Sequence, residues 1–248
     1  MENTSEKLKP GGKTGGRSPA GPAGRNSVQP GAAKQPELLC IRGGRAEVTE
    51  KRSRFIGQTM PVKTEEEAQA FIAKIRKENR DARHNCYAYI TGPDGSIEKC
   101  SDDGEPSRTA GMPMMDLLKK RNLKNICVVV TRYFGGILLG TGGLVRCYGA
   151  AAQEALDNSL TAERKKGLLT VWETDYGFYG KLQYLAQEEG LPVLSEEFGA
   201  GVTVTFLLPE EKAAGIKKKL EEMSAGKLLP SEEKPVDYCS VQGVTQLL

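Results

Sequence analysis

Apolar and polar positions change their spacing along the chain, and each change marks an element. From Leu38 to Val62 they alternate around Gly43-Gly44, which predicts a short β pair turning at the two glycines. In "TEEEAQAFIAKIRKEN", Ala68, Phe71, Ile72 and Ile75 keep the i, i+3, i+4, i+7 spacing of a buried helix face. Thr64 is its cap, with Glu67 three residues on as in a capping box. "HNCYAYITGPDGSIEKC" predicts a hairpin turning at Gly92–Gly95, with Cys86, Ala88 and Ile90 on one face and Tyr87 and Tyr89 on the other. The polar loop "SDDGEPSRTAG" leads to Pro113, suited to the first turn of a helix that ends near Arg121. "NICVVVTR" reads as a buried strand, and Gly142 and Gly143 introduce a long helix through Leu156.

The basic stretch "ERKKG" reads as a linker, after which the pattern restarts. A strand in "GLLTVWETDY" precedes a helix at Gly180–Glu189 and strands at Leu191–Glu197 and Gly201–Leu208. A helix at Glu210–Met223 and a last strand near Cys239 complete the order β-α-β-β-α-β, the ferredoxin-like arrangement. The expected fold class is therefore α+β, with one domain at 37–163 and a second at 167–248. The first 36 residues contain seven Gly, five Pro and no aromatic residue, too little apolar surface to offset ordering, and read as a disordered tail.

Charge separates these parts. The tail carries six Lys/Arg against two Asp/Glu, residues 37–163 carry 19 against 17, and residues 164–248 carry 10 against 13. No domain is broadly basic, so a nucleic-acid site must be a local patch. The six cysteines include no C-x-x-C pair and fit free thiols in a reducing compartment. With no signal-like segment and no apolar run long enough to span a bilayer, the expectation is a cytoplasmic protein without a membrane partner.

The densest candidate for chemistry is "VVVTRYFGGILLGTGGLVRCYGAAAQEAL", Val128–Leu156. Gly135 and Gly140 have P-loop spacing, but Thr141 occupies the lysine position. Gly140-x-Gly142 begins a dinucleotide fingerprint, but Val145 replaces its third glycine. What survives is an anion or nucleic-acid site in which Arg132, Gly135, Gly136, Gly140, Gly142, Gly143 and Arg146 surround a helix N-terminus. The competing reading pairs Arg132 and Arg146 with the acidic loop at Asp102, Asp103 and Glu105 and leaves the glycines to packing. His84 is the only histidine, so no His-pair metal site exists, and no metal or cofactor is expected. A role for His84 beside Asp102, Asp103 or Glu105 competes with simple hydrogen bonding to a neighbouring loop. The clusters "EKRSR" and "LKKRN", with Tyr87, Tyr89, Tyr133 and Phe134, supply charge and stacking surfaces of the single-strand-binding kind.

The glycine segment, together with "EKRSRFIG", "RHNCYAY" and "SDDGEPSRTAG", resembles the signature of the YigZ/IMPACT family. Arg108 stands where many members have glycine, Asn85 where some have a second histidine, and Cys147 where alanine is frequent. The resemblance implies a first domain similar to the ribosomal-protein-type β-α-β fold and a second similar to the last domain of elongation factor G. It implies a translation-associated regulatory or binding factor whose partner is RNA, the ribosome or a translation-control protein. The rival expectation is a small hydrolase-like enzyme acting on an anionic substrate through His84 and the acidic loop.

Overall fold

The structure, a computed structural model, describes residues 35–248, so the tail expected to be disordered lies outside the described residues except for its last two. The first lobe contains β1 (Leu38–Arg42), β2 (Arg45–Glu50), β3 (Ser53–Pro61), α1 (Glu65–Glu78), β4 (His84–Thr91) and β5 (Ile97–Ser101). It continues through α2 (Gly111–Lys120), β6 (Leu123–Lys124), β7 (Ile126–Tyr133), α3 (Gly140–Asp157) and β8 (Leu160–Glu163). The second contains β9 (Lys165–Thr174), α4 (Tyr176–Glu189), β10 (Val193–Phe198), β11 (Val202–Pro209), α5 (Glu210–Met223), β12 (Pro230–Val241) and β13 (Val244–Leu247).

In the first lobe an antiparallel sheet of order β2-β3-β7-β4-β5 is covered on both faces. The apolar stripe of α1 packs on Tyr89, Cys127 and Val129. On the other face α2 and α3 bury Met114, Leu118, Leu144 and Tyr148 against Phe55, Ala88, Val128 and Val130. Double burial explains the unbroken apolar runs Cys86–Ile90 in β4 and Ile126–Val130 in β7. Thr64 caps α1 as expected, its Oγ1 accepting the Glu67 N–H at 3.3 Å.

Two expectations need correction. The hairpin does not turn at Gly43-Gly44. Strand β2 turns into β3 at Lys51-Arg52, both at positive φ, while β1 departs to pair with β6 and β8. Gly43 serves close packing instead, since a Cβ there would stand 1.9 Å from the Thr59 carbonyl oxygen. Nor is the "ERKKG" stretch a linker. Strand β8 ends at Glu163 and β9 begins at Lys165, so only Arg164 lies between the lobes.

The second lobe is an antiparallel sheet of order β10-β11-β9-β12-β13, with α4 and α5 packed through Leu182, Leu185, Ile216 and Leu220. Its first four strands and two helices have the ferredoxin-like connectivity expected from the sequence. The unforeseen β13 returns through Gln242-Gly243, both at positive φ. Helix α4 starts at Tyr176 rather than Gly180 because the Asp175 carboxylate accepts the Phe178 N–H at 2.8 Å.

Arg164 joins the lobes. Its guanidinium reaches Glu37 at 3.0 Å, Asp237 at 3.1 Å and the Pro93 carbonyl at 3.0 Å. Because this cluster is only partly buried, Arg164→Ala should cost on the order of 1 kcal/mol in urea unfolding while both lobes keep their secondary structure. A loss of several kcal/mol would show that the lobes cannot fold without the clamp.

Candidate functional site

The site forms where β7, the acidic loop before α2, and the glycine segment before α3 meet. Asp102 organises the loop. Its Oδ1 accepts the Ala110 and Gly111 N–H groups at 2.9 and 2.8 Å, and its Oδ2 accepts the Arg108 N–H at 2.7 Å. Burial opposes its ionisation, but these backbone donors prevail and hold its carboxyl below the ordinary value. Arg108 has φ +64°, the left-handed region that favours glycine, which gives a physical reason for glycine in the related pattern.

Asp103 ties the loop to its surroundings. One oxygen pairs with Arg76 at 2.5 Å and the other accepts the Asn85 N–H at 2.7 Å. His84 Nδ1 lies 2.8 Å from the Asp103 carbonyl oxygen, so the imidazole hydrogen-bonds a backbone carbonyl and no carboxylate. The His–carboxylate arrangement that the rival enzyme requires is not assembled here.

Glu105 takes the central place. Its Oε1 accepts from Arg132 Nη1 at 2.7 Å and from the Tyr148 hydroxyl at 2.8 Å, and the side chains of Glu105 and Arg132 are only 3% and 8% exposed. The Arg132 guanidinium also sits 5.5 Å from the ring centres of both Phe55 and Phe134. Its Nε has no hydrogen-bond partner among the described residues. Burial, the neighbouring Cys86 thiol and the Glu105 carboxylate all push the Tyr148 phenol above its ordinary range. Burial raises the Cys86 thiol to about 12, so it is no nucleophile at neutral pH.

The two arginines therefore do not converge on one anion. Arg132 occupies the competing arrangement, buried against the acidic loop, whereas Arg146 is exposed and has no ion-pair partner among the described residues. Alternation carried a signal for this, because Arg132 shares its strand face with Val128 and Val130. On α3, Leu144, Cys147, Tyr148, Ala151 and Ala152 form the buried stripe, and Arg146 lies off it.

Between the arginines the glycines shape an exposed loop. Gly135 presses on the Lys51-Arg52 turn, where a Cβ would stand 2.1 Å from the Arg52 carbonyl carbon, and its N–H donates to Ser53 Oγ at 3.1 Å. Gly136 and Gly140 adopt positive φ, and Gly140, Gly142 and Gly143 form the first turn of α3. Among the described residues no side chain caps that turn, and it contains no acidic residue. Around it Phe134, one of the stacking candidates expected from the sequence, stands exposed together with Ile137, Leu138 and Val145, which complete an apolar rim that no motif had marked. Among the described residues no cluster of His, Cys, Asp and Glu is placed to hold a metal ion.

Family models match both lobes: the Impact N-terminal domain over residues 51–156 and a domain of unknown function, DUF1949, over residues 173–227. The chain is 41% identical over 184 residues to the IMPACT family member YvyE of Bacillus subtilis, covering 74% of this chain and 85% of that protein. The chain belongs to the IMPACT family. It is also similar to the IMPACT family member YigZ of Escherichia coli, at 40% identity over 72% of this chain and 88% of that protein. A solved structure described as that of an hypothetical protein superposes with a TM-score of 0.50 at 34% identity, covering 79% of this chain and 96% of that one. The first model match spans the Lys51-Arg52 turn, the acidic loop and the glycine segment, so these IMPACT residues fall within a single family domain.

Two outcomes follow from the buried pair. Arg132→Ala strands the Glu105 carboxylate and should destabilise the protein by about 3–5 kcal/mol in chemical denaturation, whereas Arg146→Ala should change stability by less than about 0.5 kcal/mol. Equal costs would contradict the placement of the two arginines.

Asp102 gives a pH dependence of definite sign. Its folded pKa is depressed, so its contribution is fully present above the unfolded value near 3.9 and disappears as pH falls through the lower folded value. Asp102→Asn should cost on the order of 1 kcal/mol at neutral pH, and its deficit against the wild type should shrink below about pH 4. A deficit that widens on acidification would reverse the assignment.

Proposed function

We propose that this IMPACT family member is a translation-associated binding factor rather than a catalyst, and that the glycine loop with its basic border contacts an RNA phosphate backbone. The observation that carries this reading is the Lys51-Arg52 turn. Two exposed cations at φ +44° and +65° are locked in left-handed strain against Gly135, beside the uncapped start of α3. Strain of this kind persists only where surrounding structure imposes it, and it concentrates at functional sites. Arg146 adds a third exposed cation on the first two turns of α3, and Phe134 offers a half-exposed ring for base stacking.

Family membership supports the translation context, and the lack of an assembled His84–carboxylate pair favours binding over hydrolysis. Arg132 takes part indirectly, by holding Phe134 in place from behind. The ligand class is single-stranded RNA, presented alone or on the ribosome.

The test is fluorescence anisotropy with a labelled 20-nucleotide single-stranded RNA, repeated over a salt series. Lys51→Ala, Arg52→Ala and Arg146→Ala should each weaken binding several-fold and lower the salt slope by roughly one phosphate contact. His84→Gln should bind as the wild type does. Full affinity in all three cation variants would remove this surface from the reading, and nucleotide or phosphoester turnover abolished by His84→Gln would replace it with the enzyme.

A further inference from the structure

The second lobe carries a surface of opposite character. Strand β10 is the edge of its sheet, and all six of its residues are exposed. An edge strand leaves alternate N–H and C=O groups unpaired and able to accept another strand. Three of its six side chains are apolar, Val193, Leu194 and Phe198, the last 58% exposed. Beside it α4 displays Tyr176 and Tyr184, with Tyr184 66% exposed, and Tyr179 meets Phe198 edge-on at 5.5 Å.

The remaining charge on this edge has one sign. Glu196 receives a hydrogen bond from the Tyr179 hydroxyl at 2.9 Å and lines a recess of about 450 Å³ beside α4. Glu197 lines a second recess of about 550 Å³ with Glu173, Asp175 and Phe198. Glu197 pairs with Thr203, and Thr203 pairs with Glu173, so two carboxylates flank one threonine across three strands. They stand two strand spacings apart, about 10 Å. None of Glu173, Glu196 and Glu197 meets a cation among the described residues. Successive residues of an added strand would point alternately to the Glu196 side and the Glu197 side.

We propose that β10 is a docking edge for an extended, lysine- or arginine-rich segment of a partner protein, which adds as a further strand of the sheet. Its backbone pairs with β10, its cations meet Glu196 on one side and Glu197 with Glu173 on the other, and its apolar residues lie against Val193, Leu194 and Phe198. A second copy of this chain fits poorly. Pairing two β10 edges antiparallel would bring like carboxylates together, which destabilises cross-strand neighbours.

The experiment uses the full chain and a fluorescein-labelled eight-residue peptide, Lys-Lys-Val-Val repeated twice, which puts lysines on both faces of an added strand, with a control peptide in which glutamate replaces each lysine. Binding of the lysine peptide should be at least tenfold tighter, and amide exchange in Leu194–Phe198 should slow at least tenfold when it is bound. Glu196→Lys combined with Glu197→Lys should weaken it tenfold or more, whereas Arg146→Ala should leave it unchanged, which separates this edge from the RNA surface. Undiminished binding to the double variant, or unchanged β10 exchange with peptide bound, would overturn the proposal. Doubling of mass with β10 protected before any peptide is added would replace it with self-association.

Discussion

The buried pair between Arg132 and Glu105 is the constraint on which the first lobe's surface depends. Two charges leave water here, and their desolvation is offset only where attraction in a low-dielectric setting is joined by further hydrogen bonds. Tyr148 supplies one such bond, and the rings of Phe55 and Phe134 enclose the guanidinium. Through these partners one ion pair ties β7, the acidic loop, β3 and α3 together. Arg132 Nε finds no partner among the described residues, and a buried donor left unpaired carries a desolvation cost. The structural consequence of the pair is that Phe134 rests on a buried cation while half its surface faces solvent.

The periodic elements were legible in the sequence because periodicity reflects burial directly. Helix α1, the β4–β5 hairpin, strand β7 and helix α5 follow the faces that their apolar residues dictate. What the sequence hid was long-range. A glycine pair usually marks a turn, yet Gly43-Gly44 packs beneath Thr59 and Asn158, residues far along the chain. The actual turn uses Lys51 and Arg52, which no local preference would place at positive φ. Arg164 reads as one of several basic residues in a run, and only the folded chain brings Glu37, Pro93 and Asp237 around it.

At the candidate site the segment was legible and the division of labour was not. Type and order alone make Arg132 and Arg146 equivalent flanks of a glycine turn. Their positions on a period-2 strand and a period-3.6 helix make them opposites, one facing the core and one facing water. The acidic loop likewise looked like a source of catalytic carboxylates, yet Asp102 is occupied by backbone N–H groups and Asp103 by Arg76 and Asn85. A carboxylate that organises a loop and one that moves protons have the same letter in a sequence. They differ in whether their lone pairs are already taken.

Were both proposed surfaces to bind, the spacing between the lobes would become a functional quantity. One surface is apolar with a cationic border, and the other is apolar with an anionic border, so each repels what the other attracts. A partner bearing both phosphates and basic protein segments would engage them together, and the second contact would then form at high effective concentration. That gain exists only if the geometry allows both contacts at once. The lobes are joined by a single residue between β8 and β9, and that residue is itself pinned by three groups. If both proposed surfaces are used by one partner, the Arg164 clamp bears on binding as well as on stability, because it would fix the separation at which that partner must present its phosphates and its basic strand.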